Sequence, residues 1–462
     1  MTAASGSADR IVDRDFAAWD AALRRARADF FSPGAPAWVA RAPGRLDVMG
    51  GIADYSGSLV AEMPIAQAAV VGAQRDDAAG GTVLVRSADA AANDLTPEVV
   101  LPPELFVNPV SLLKHLRDGP EGERWAGYVA GGLALLRAEG LAPRGAGARL
   151  FVASGVPLGA GVSSSAAVEV ASMRALCAAF GVEMDGLTLA RLCQRVENDV
   201  MDAPCGVMDQ VTSALGEAGR LLVLRCQPYL LQGTVALPPG WSVFGIDSGV
   251  KHSVGGSNYT RARVATFMGY KILADKAGSG FGGYLCNVSP DEYRALAPGG
   301  LPETLSGAVF LGAHGGIFDT VTAVDPAETY PVRACAEHAI FENARVERFL
   351  DLSRRGDDES VRGAGGLMRA AHDSYTACGL GAAETDRLVE IAMERGGPSV
   401  AGAKITGGGS GGTVAVLCRA DDEERVAETI ADAYAAETGR TPLVIRGSSP
   451  GACATLVREV VP

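Results

Sequence analysis

The stretch Pro157-Leu-Gly-Ala-Gly-Val-Ser-Ser-Ser-Ala-Ala167 joins two glycines to three consecutive serines and the start of an alanine-rich run. Residues of those types in that order make a cradle for a polyphosphate. Gly159 and Gly161 reach backbone dihedrals closed to other residues, and without a Cβ they let an anion approach main-chain N–H groups. A helix starting at Ser164 would point its unpaired N–H groups and positive dipole end at the same spot. The serine hydroxyls add donors and one possible Mg²⁺ ligand. The competing explanation is a Gly/Ser linker, since the chain holds 59 glycines.

Two more glycine-dense segments lie far away in sequence. Ala42-Pro-Gly-Arg-Leu-Asp-Val-Met-Gly-Gly-Ile-Ala-Asp-Tyr55 supplies one cation, Arg45, and two carboxylates, Asp47 and Asp54. Lys404-Ile-Thr-Gly-Gly-Gly-Ser-Gly-Gly412 offers backbone N–H groups and a lysine that is either close to phosphates or solvated.

The elements that must position these groups follow from periodicity. Ala148–Ala153 is strand-like and leads into the glycine turn. Residues 164–180 carry helix-spaced Val170, Met173, Cys177 and Phe180 and stop at Gly181. Strand, turn and helix form one unit. An amphipathic helix is predicted over 9–30, strands over 37–42, 66–73 and 82–86, and loop-rich insertions over 87–123 and 277–330. Trp125 and Tyr128 stand in a helical context and are predicted to pack a core. Breakers at Gln232-Gly233 and Pro238-Pro239-Gly240 suggest a domain change, giving units 1–235 and 236–462.

Composition narrows the function classes. A chain of 462 residues with 48% hydrophobic and 21% charged residues is a packed protein of two or three domains. A net charge of −13 argues against nucleic acid or an anionic membrane as partner. Nine cysteines without a C-x-x-C pair give neither a zinc site nor a disulfide framework. No apolar signal core or long apolar run is present, which points to a cytoplasmic protein.

Taken together and in order, the three glycine motifs resemble those of the GHMP kinase family. The P-loop pattern Gly-x4-Gly-Lys-Ser/Thr is absent. Cys193-Gln194-Arg-Val-Glu197, Pro204-Cys-Gly-Val-Met-Asp-Gln210 and Ser248-Gly-Val-Lys-His-Ser253 with Tyr259 are similar to the galactokinase branch, the sugar 1-kinases. The resemblance implies an α+β chain. Its N-terminal α/β-type domain has a mixed sheet like ribosomal S5 domain 2, its C-terminal domain is ferredoxin-like, and the active site lies between them.

It also implies roles, residue by residue. Asp209 falls where the family places the carboxylate that accepts or orients the proton of the anomeric hydroxyl, and Arg45 where it places the arginine beside that carboxylate. ATP is implied at Pro157, Gly159, Ala160, Gly161, Val162, Ser163, Ser164, Ser165, Ala166, Gly408 and Gly409, and Mg²⁺ at Ser165 and Glu197. The sugar is implied at Asp47, Gly51, Ile52, Asp54, Tyr55, Gly206 and Tyr259. His252 lies in a matched segment and is either near the substrate loop or a packing residue.

Substrate choice departs from the galactokinase pattern. Galactokinases continue Gly-Glu-His-Thr-Asp-Tyr, where glutamate and histidine receive the C6 hydroxyl of galactose. Here the positions are Gly50-Gly51-Ile52-Ala53-Asp54-Tyr55. The carboxylate for ring hydroxyls survives, but the groups for the hydroxymethyl arm are gone. L-Arabinopyranose has the galactopyranose ring without that arm, so the expected product is β-L-arabinose 1-phosphate. Residues 44–59 and Tyr375-Thr-Ala-Cys-Gly-Leu-Gly381 also resemble the kinase portion of plant L-arabinokinases. The alternatives are a kinase for galactose, a uronic acid or a heptose, and a noncatalytic sugar sensor of the same fold.

Overall fold

The computed structural model describes residues 3–25, 30–251 and 257–461, so His252 lies outside the described residues. The first sheet grows from two long strands, β1 (Ala37–Met49) and β2 (Leu59–Asp76). Nearly every residue of both is buried, as expected of strands covered on both faces. Strand β3 (Val83–Ser87) pairs with β4 (Glu98–Leu101) and runs parallel to β5 (Gly147–Ser154), making the sheet mixed. The last eight residues of β2 pair with β5, and its first four with β6 (Arg220–Arg225), which carries β7 (Leu230–Ala236).

Strand β8 (Trp241–Asp247) opens a second sheet only a few residues after β7 ends. A short ribbon, β9 (Leu305–Ser306) with β10 (Thr329–Tyr330), belongs to the segment 277–330. Strands β11 (Val400–Ile405), β12 (Thr413–Arg419) and β13 (Leu443–Ile445) complete the second sheet in the antiparallel order β11-β12-β8-β13. Strand β14 (Arg458–Val460) returns to pair with β1. The α+β class holds.

Helices cover the sheets: α1 (Ala3–Arg25), α2 (Pro109–Asp118), α3 (Ala126–Ala138), α4 (Ser164–Phe180), α5 (Gly186–Arg195) and α6 (Met208–Leu215) accompany the first. They are followed by α7 (Ser257–Ala277), α8 (Pro290–Leu296), α9 (Gly307–His314), α10 (Val332–Arg355), α11 (Asp358–Ala377), α12 (Ala383–Arg395) and α13 (Glu423–Thr438). The predicted helix 164–180 is α4, and Gly181 ends it at φ 68° as a left-handed cap. The predicted 9–30 helix is displaced toward the N-terminus, with α1 beginning at Ala3. Its apolar face buries Phe16 and Trp19, with the Trp19 indole donating to the Phe151 carbonyl at 3.2 Å.

Three hydrophobic clusters matter for the site. One joins β1, β2 and β5 to α3, α4 and α6, and another fills the second sheet under α12 and α13. The third is helical: α7 and α10 pack Met268, Leu273 and Ile340 around Ile52, Tyr55, Tyr259 and Tyr375. Motif residues 52–55 therefore rest on α7, α10 and α11, far from them in sequence.

Candidate active site

Strand β1 delivers Arg45 through an irregularity. The ladder with β2 shifts between Pro43 and Arg45, and a Cβ on the intervening Gly44 would stand 2.5 Å from the Val162 carbonyl oxygen. Only glycine permits that approach. The Arg45 backbone N–H then donates to Val162 O at 3.1 Å, joining the strand to the glycine turn. Bulges of this kind re-aim a side chain out of the regular pleat.

The Arg45 guanidinium is buried among acceptors. It donates through Nε to Asp209 Oδ1 at 2.9 Å and through Nη1 to the Gly161 carbonyl at 2.8 Å. Its Nη2 lies 2.8 Å from the same Asp209 oxygen, and its Nε 3.3 Å from Glu62 Oε2. Burial alone would lower its pKa, but Asp209, Glu62 and Asp47 outweigh burial and raise it, so the group stays charged. Asp209 stands in the first turn of α6, only partly buried.

The cradle has the anticipated shape. Gly159 and Gly161 take φ 75° and 72°, and Ser163 takes φ 60° as the residue capping α4. Ser163 makes no side-chain cap, and its buried Oγ has no partner among the described residues. An orphaned hydroxyl beside an uncapped helix N-terminus is the arrangement that an anion completes. Pro157, Gly159, Gly161 and Ser163–Ser165 line a cleft of about 980 Å³ together with Arg45, Asp209 and Gly408.

Ala160, Val162 and Ala166 are buried beneath the turn, which leaves them only backbone contacts to offer; the Ala160 carbonyl accepts from Thr413 Oγ1 at 2.8 Å. Gly409 packs instead against Leu380, whose carbonyl oxygen would sit 2.6 Å from an added Cβ.

Glu197 lies in a wide turn after α5, where Met201 N–H donates to the Val196 carbonyl at 3.1 Å, five residues back. Its buried carboxylate accepts from Gln210 Nε2 at 3.0 Å, with Cys205 and Ser165 beside it. Gln210 Nε2 also donates to Glu169 at 3.1 Å. Burial raises the pKa of both carboxylates. Among the described residues no three ligating side chains form a ready metal cage. Mg²⁺ needs none beside phosphates, because it keeps waters and takes one or two protein oxygens. Glu197 and Ser165, adjacent on the cleft wall, fit that requirement.

At the opposite end Ile52, Asp54, Gly206 and Tyr259 line the same cleft. Gly206 abuts Asp54 so closely that an added Cβ would fall 1.6 Å from Oδ2. Asp54 Oδ1 is buried without a hydrogen-bond donor among the described residues. Burial, then the neighbouring Asp209, push its pKa up to about 7, against the opposing pull of Arg263.

Three sugar positions implied by the motif do not reach the cleft wall. Asp47 is fully buried and already paired: Lys404 Nζ is 2.6 Å from Oδ2, and Gly51 N–H donates to Oδ1 at 3.1 Å. Gly51 has its side-chain space filled by Tyr375. Tyr55 turns inward, its hydroxyl 3.4 Å from Thr266 Oγ1 and its ring 5.2 Å from the Arg263 guanidinium carbon. Lys404 is likewise neither solvated nor at the cradle. A carboxylate and a lysine this deep must neutralise one another.

Several contributors went unnoticed in the sequence. Glu62, on β2, is fully buried behind Arg45. Arg263, on α7, grips Asp319 at 2.7 Å and the Cys205 carbonyl at 3.3 Å, bracing the segment before Asp209. Trp125 and Tyr128 pack partly on the core, as predicted, yet also line the cleft beside Asp89, Asn93 and Arg124. Helical aromatics have the same spacing whether they face a core or a ligand, so only the position of α3 separates the two.

Residues 127–217 match the family model of the GHMP kinases N terminal domain, and residues 358–436 that of the GHMP kinases C terminal. The chain is 41% identical to an L-arabinokinase of Arabidopsis thaliana across 93% of its own length and 47% of that protein's. It therefore spans about half of that relative. A galactokinase of Chloroflexus aggregans is 31% identical, with 90% of this chain and 94% of that one covered. A Lactococcus lactis galactokinase solved with galactose superposes with a TM-score of 0.74 at 21% identity, covering 94% of this chain and 98% of that one.

Proposed function

The chain belongs to the GHMP kinase family, and from that premise we propose that it is a sugar 1-kinase that transfers the γ-phosphoryl of ATP to the anomeric C1 hydroxyl of L-arabinose. The product is β-L-arabinose 1-phosphate. One observation carries the reading: the Arg45–Asp209 pair sits in one cleft with the uncapped start of α4 on one side and Asp54 with Ile52 on the other.

Phosphoryl transfer asks a protein to place the acceptor and neutralise charge, with little covalent work. Gly159–Ser165 hold the triphosphate through backbone N–H groups and hydroxyls. Both Arg45 contacts fall on Asp209 Oδ1, and Oδ2 holds the sugar hydroxyl. The bond between the γ-phosphorus and the bridging oxygen breaks as C1–O–P forms, and the hydroxyl proton leaves toward Asp209. Arg45, tied to the Gly161 carbonyl and to Asp209 at once, fixes acceptor and donor relative to each other. Mg²⁺, which Ser165 and Glu197 would hold, would supply neutralisation of the phosphate charge.

Asp54 supports the ring hydroxyls through the oxygen that lacks a protein donor. Ile52 presents an apolar surface where galactose would carry its hydroxymethyl arm. A site without partners for a hydroxyl rejects the hydroxylated competitor only by about 10²-fold.

The deciding experiment is ADP release from Mg²⁺-ATP with L-arabinose, D-galactose, D-glucuronate, a heptose or no sugar. L-Arabinose is expected to give the highest kcat/KM, with D-galactose about 10²-fold lower. Galactose above arabinose overturns the pentose assignment, and no stimulation by any sugar overturns the kinase itself. Asp209→Asn should lower kcat by about 10²- to 10⁴-fold.

A further inference from the structure

Tyr375-Thr-Ala-Cys-Gly-Leu-Gly381 stands out in the sequence, but the chemistry above gives it no task. In the structure Tyr375, near the end of α11, is fully buried where three segments meet. Its hydroxyl accepts the Ile52 N–H at 2.8 Å and donates to the Gly407 carbonyl at 2.9 Å. The first motif and the third are thereby pinned to one atom. That oxygen also occupies the space of a residue-51 side chain, since a Cβ there would lie 1.5 Å from it and 2.7 Å from Cζ.

The tyrosine cannot easily yield. His338 stacks edge-on against its ring at 5.1 Å, and Lys404 Nζ lies 5.4 Å from the ring centre, itself locked to Asp47. Nor does backbone conformation alone explain glycine at 51. Its φ is 44°, whereas Asp94, Ser163, Asp202, Tyr229 and Ser410 adopt φ of 55° to 67° elsewhere in this chain. The obstacle to a side chain is steric, and its nearest part by far is the Tyr375 hydroxyl, with Asp47 Oδ2 at 2.8 Å beyond it.

We propose that Tyr375 is a specificity-determining positioning residue: by filling the side-chain volume of position 51 and gripping the Ile52 amide, it fixes the apolar wall that faces the sugar and bars a polar side chain from that wall. The proposal rests on the sugar-kinase reading of this cleft. Position 51 lacks a sugar-binding side chain because the space is taken, and changing specificity there requires changing residue 375 first.

The test is a double-mutant cycle of Gly51→Ala and Tyr375→Phe, read by KM and kcat for two sugars and by thermal midpoint. Tyr375→Phe removes the hydroxyl and its bond to Ile52. It should raise KM for the preferred sugar about fivefold, more than it lowers kcat, and shift the arabinose-to-galactose ratio of kcat/KM by a similar factor. Gly51→Ala should cost about tenfold more in kcat/KM in the native background than in the Tyr375→Phe background. Its fall in thermal midpoint should be smaller there too.

Equal costs in both backgrounds, or a Tyr375→Phe effect that scales both sugars alike with no change in KM, overturns the proposal. If Gly51→Ala alone does not fold, recovery of folded protein in the double variant counts as the coupling, and absence of recovery counts against it. The thermal cycle needs no sugar. A native enzyme that prefers another sugar therefore defeats the pentose assignment while leaving the Tyr375 coupling to be judged separately.

Discussion

The two ends of the cleft are built from different material. At the proposed phosphate end the groups are mostly backbone: glycines at positive φ, the uncapped start of α4, and the 404–412 loop packed beneath, with the Gly161 oxygen 2.8 Å from a Cβ on Gly407. At the proposed sugar end they are side chains, with Asp54, Asp209, Asp47 and Glu62 balanced by Arg45, Lys404 and Arg263. Backbone donors accept a triphosphate at any ordinary pH but carry little information about what is attached to it. Buried charges can discriminate among polar ligands and, for the same reason, titrate and couple. Glu197 apart, whose pKa burial also raises, the phosphate end should thus respond weakly to pH and the sugar end strongly.

The largest effect should come from breaking the pair that links both ends. Lys404 and Asp47 are fully buried at 2.6 Å, joining the third motif to the first. Lys404→Met strands a carboxylate, which costs about 3–5 kcal/mol and should appear in chemical denaturation, with KM rising for ATP and sugar together. Adding Asp47→Asn should restore part of the stability. A rise in KM for ATP alone, at unchanged stability, would place Lys404 at the phosphates after all.

The same contrast governs what the sequence disclosed. The cradle is one contiguous segment whose glycines and serines state their conformation and donors locally, and α4 was legible to its last residue. The sugar end is assembled from β1, β2, α6, α7 and α11, and its logic lies in pairings across long separations. Asp47 looked like a ligand because it follows Arg45 within one motif, yet its partner is 357 residues away. Glu62 sits in Ala61-Glu-Met-Pro64 with no local sign that β2 carries it behind Arg45. Tyr375 was conspicuous in its heptapeptide, but nothing local says that its hydroxyl fills position 51.

A second prediction concerns pH. Asp54, raised to about 7 from an ordinary 3.8, holds its proton over a window in which the unfolded chain has released it. Its contribution to stability therefore falls as pH rises from about 4 to 7. Sugar binding runs the other way, because the ionised carboxylate accepts ring hydroxyls more strongly. KM for the sugar should climb as pH drops below about 7, approaching tenfold per unit, while KM for ATP stays nearly flat. Asp54→Asn should remove the slope along with most of the affinity. A parallel slope in both KM values would erase the distinction between the two ends.

The smallest effect separates the two carboxylates that share Arg45. Asp209 faces the cleft and takes two contacts from the guanidinium, whereas Glu62 lies fully buried behind it, 3.3 Å from Nε, with neither oxygen in a hydrogen bond among the described residues. Burial and then Asp47 drive the Glu62 pKa well up, and Arg45 pulls against them. A carboxylate so placed favours its protonated form, which glutamine imitates in size and charge. Glu62→Gln should leave kcat within about threefold and stabilise the protein by on the order of 1 kcal/mol. The gain should grow as pH rises above the ordinary glutamate range, because the unfolded chain then releases a proton that buried Glu62 keeps. Asp209→Asn, on the other side of the same arginine, leaves the buried guanidinium without its ionised partner, so it should cost stability as well as lower kcat by about 10²- to 10⁴-fold. If Glu62→Gln instead lowers kcat by a hundredfold or more, Arg45 depends on a charge from both sides, and the catalytic pair must be redrawn as a triad with Glu62 as its buried member.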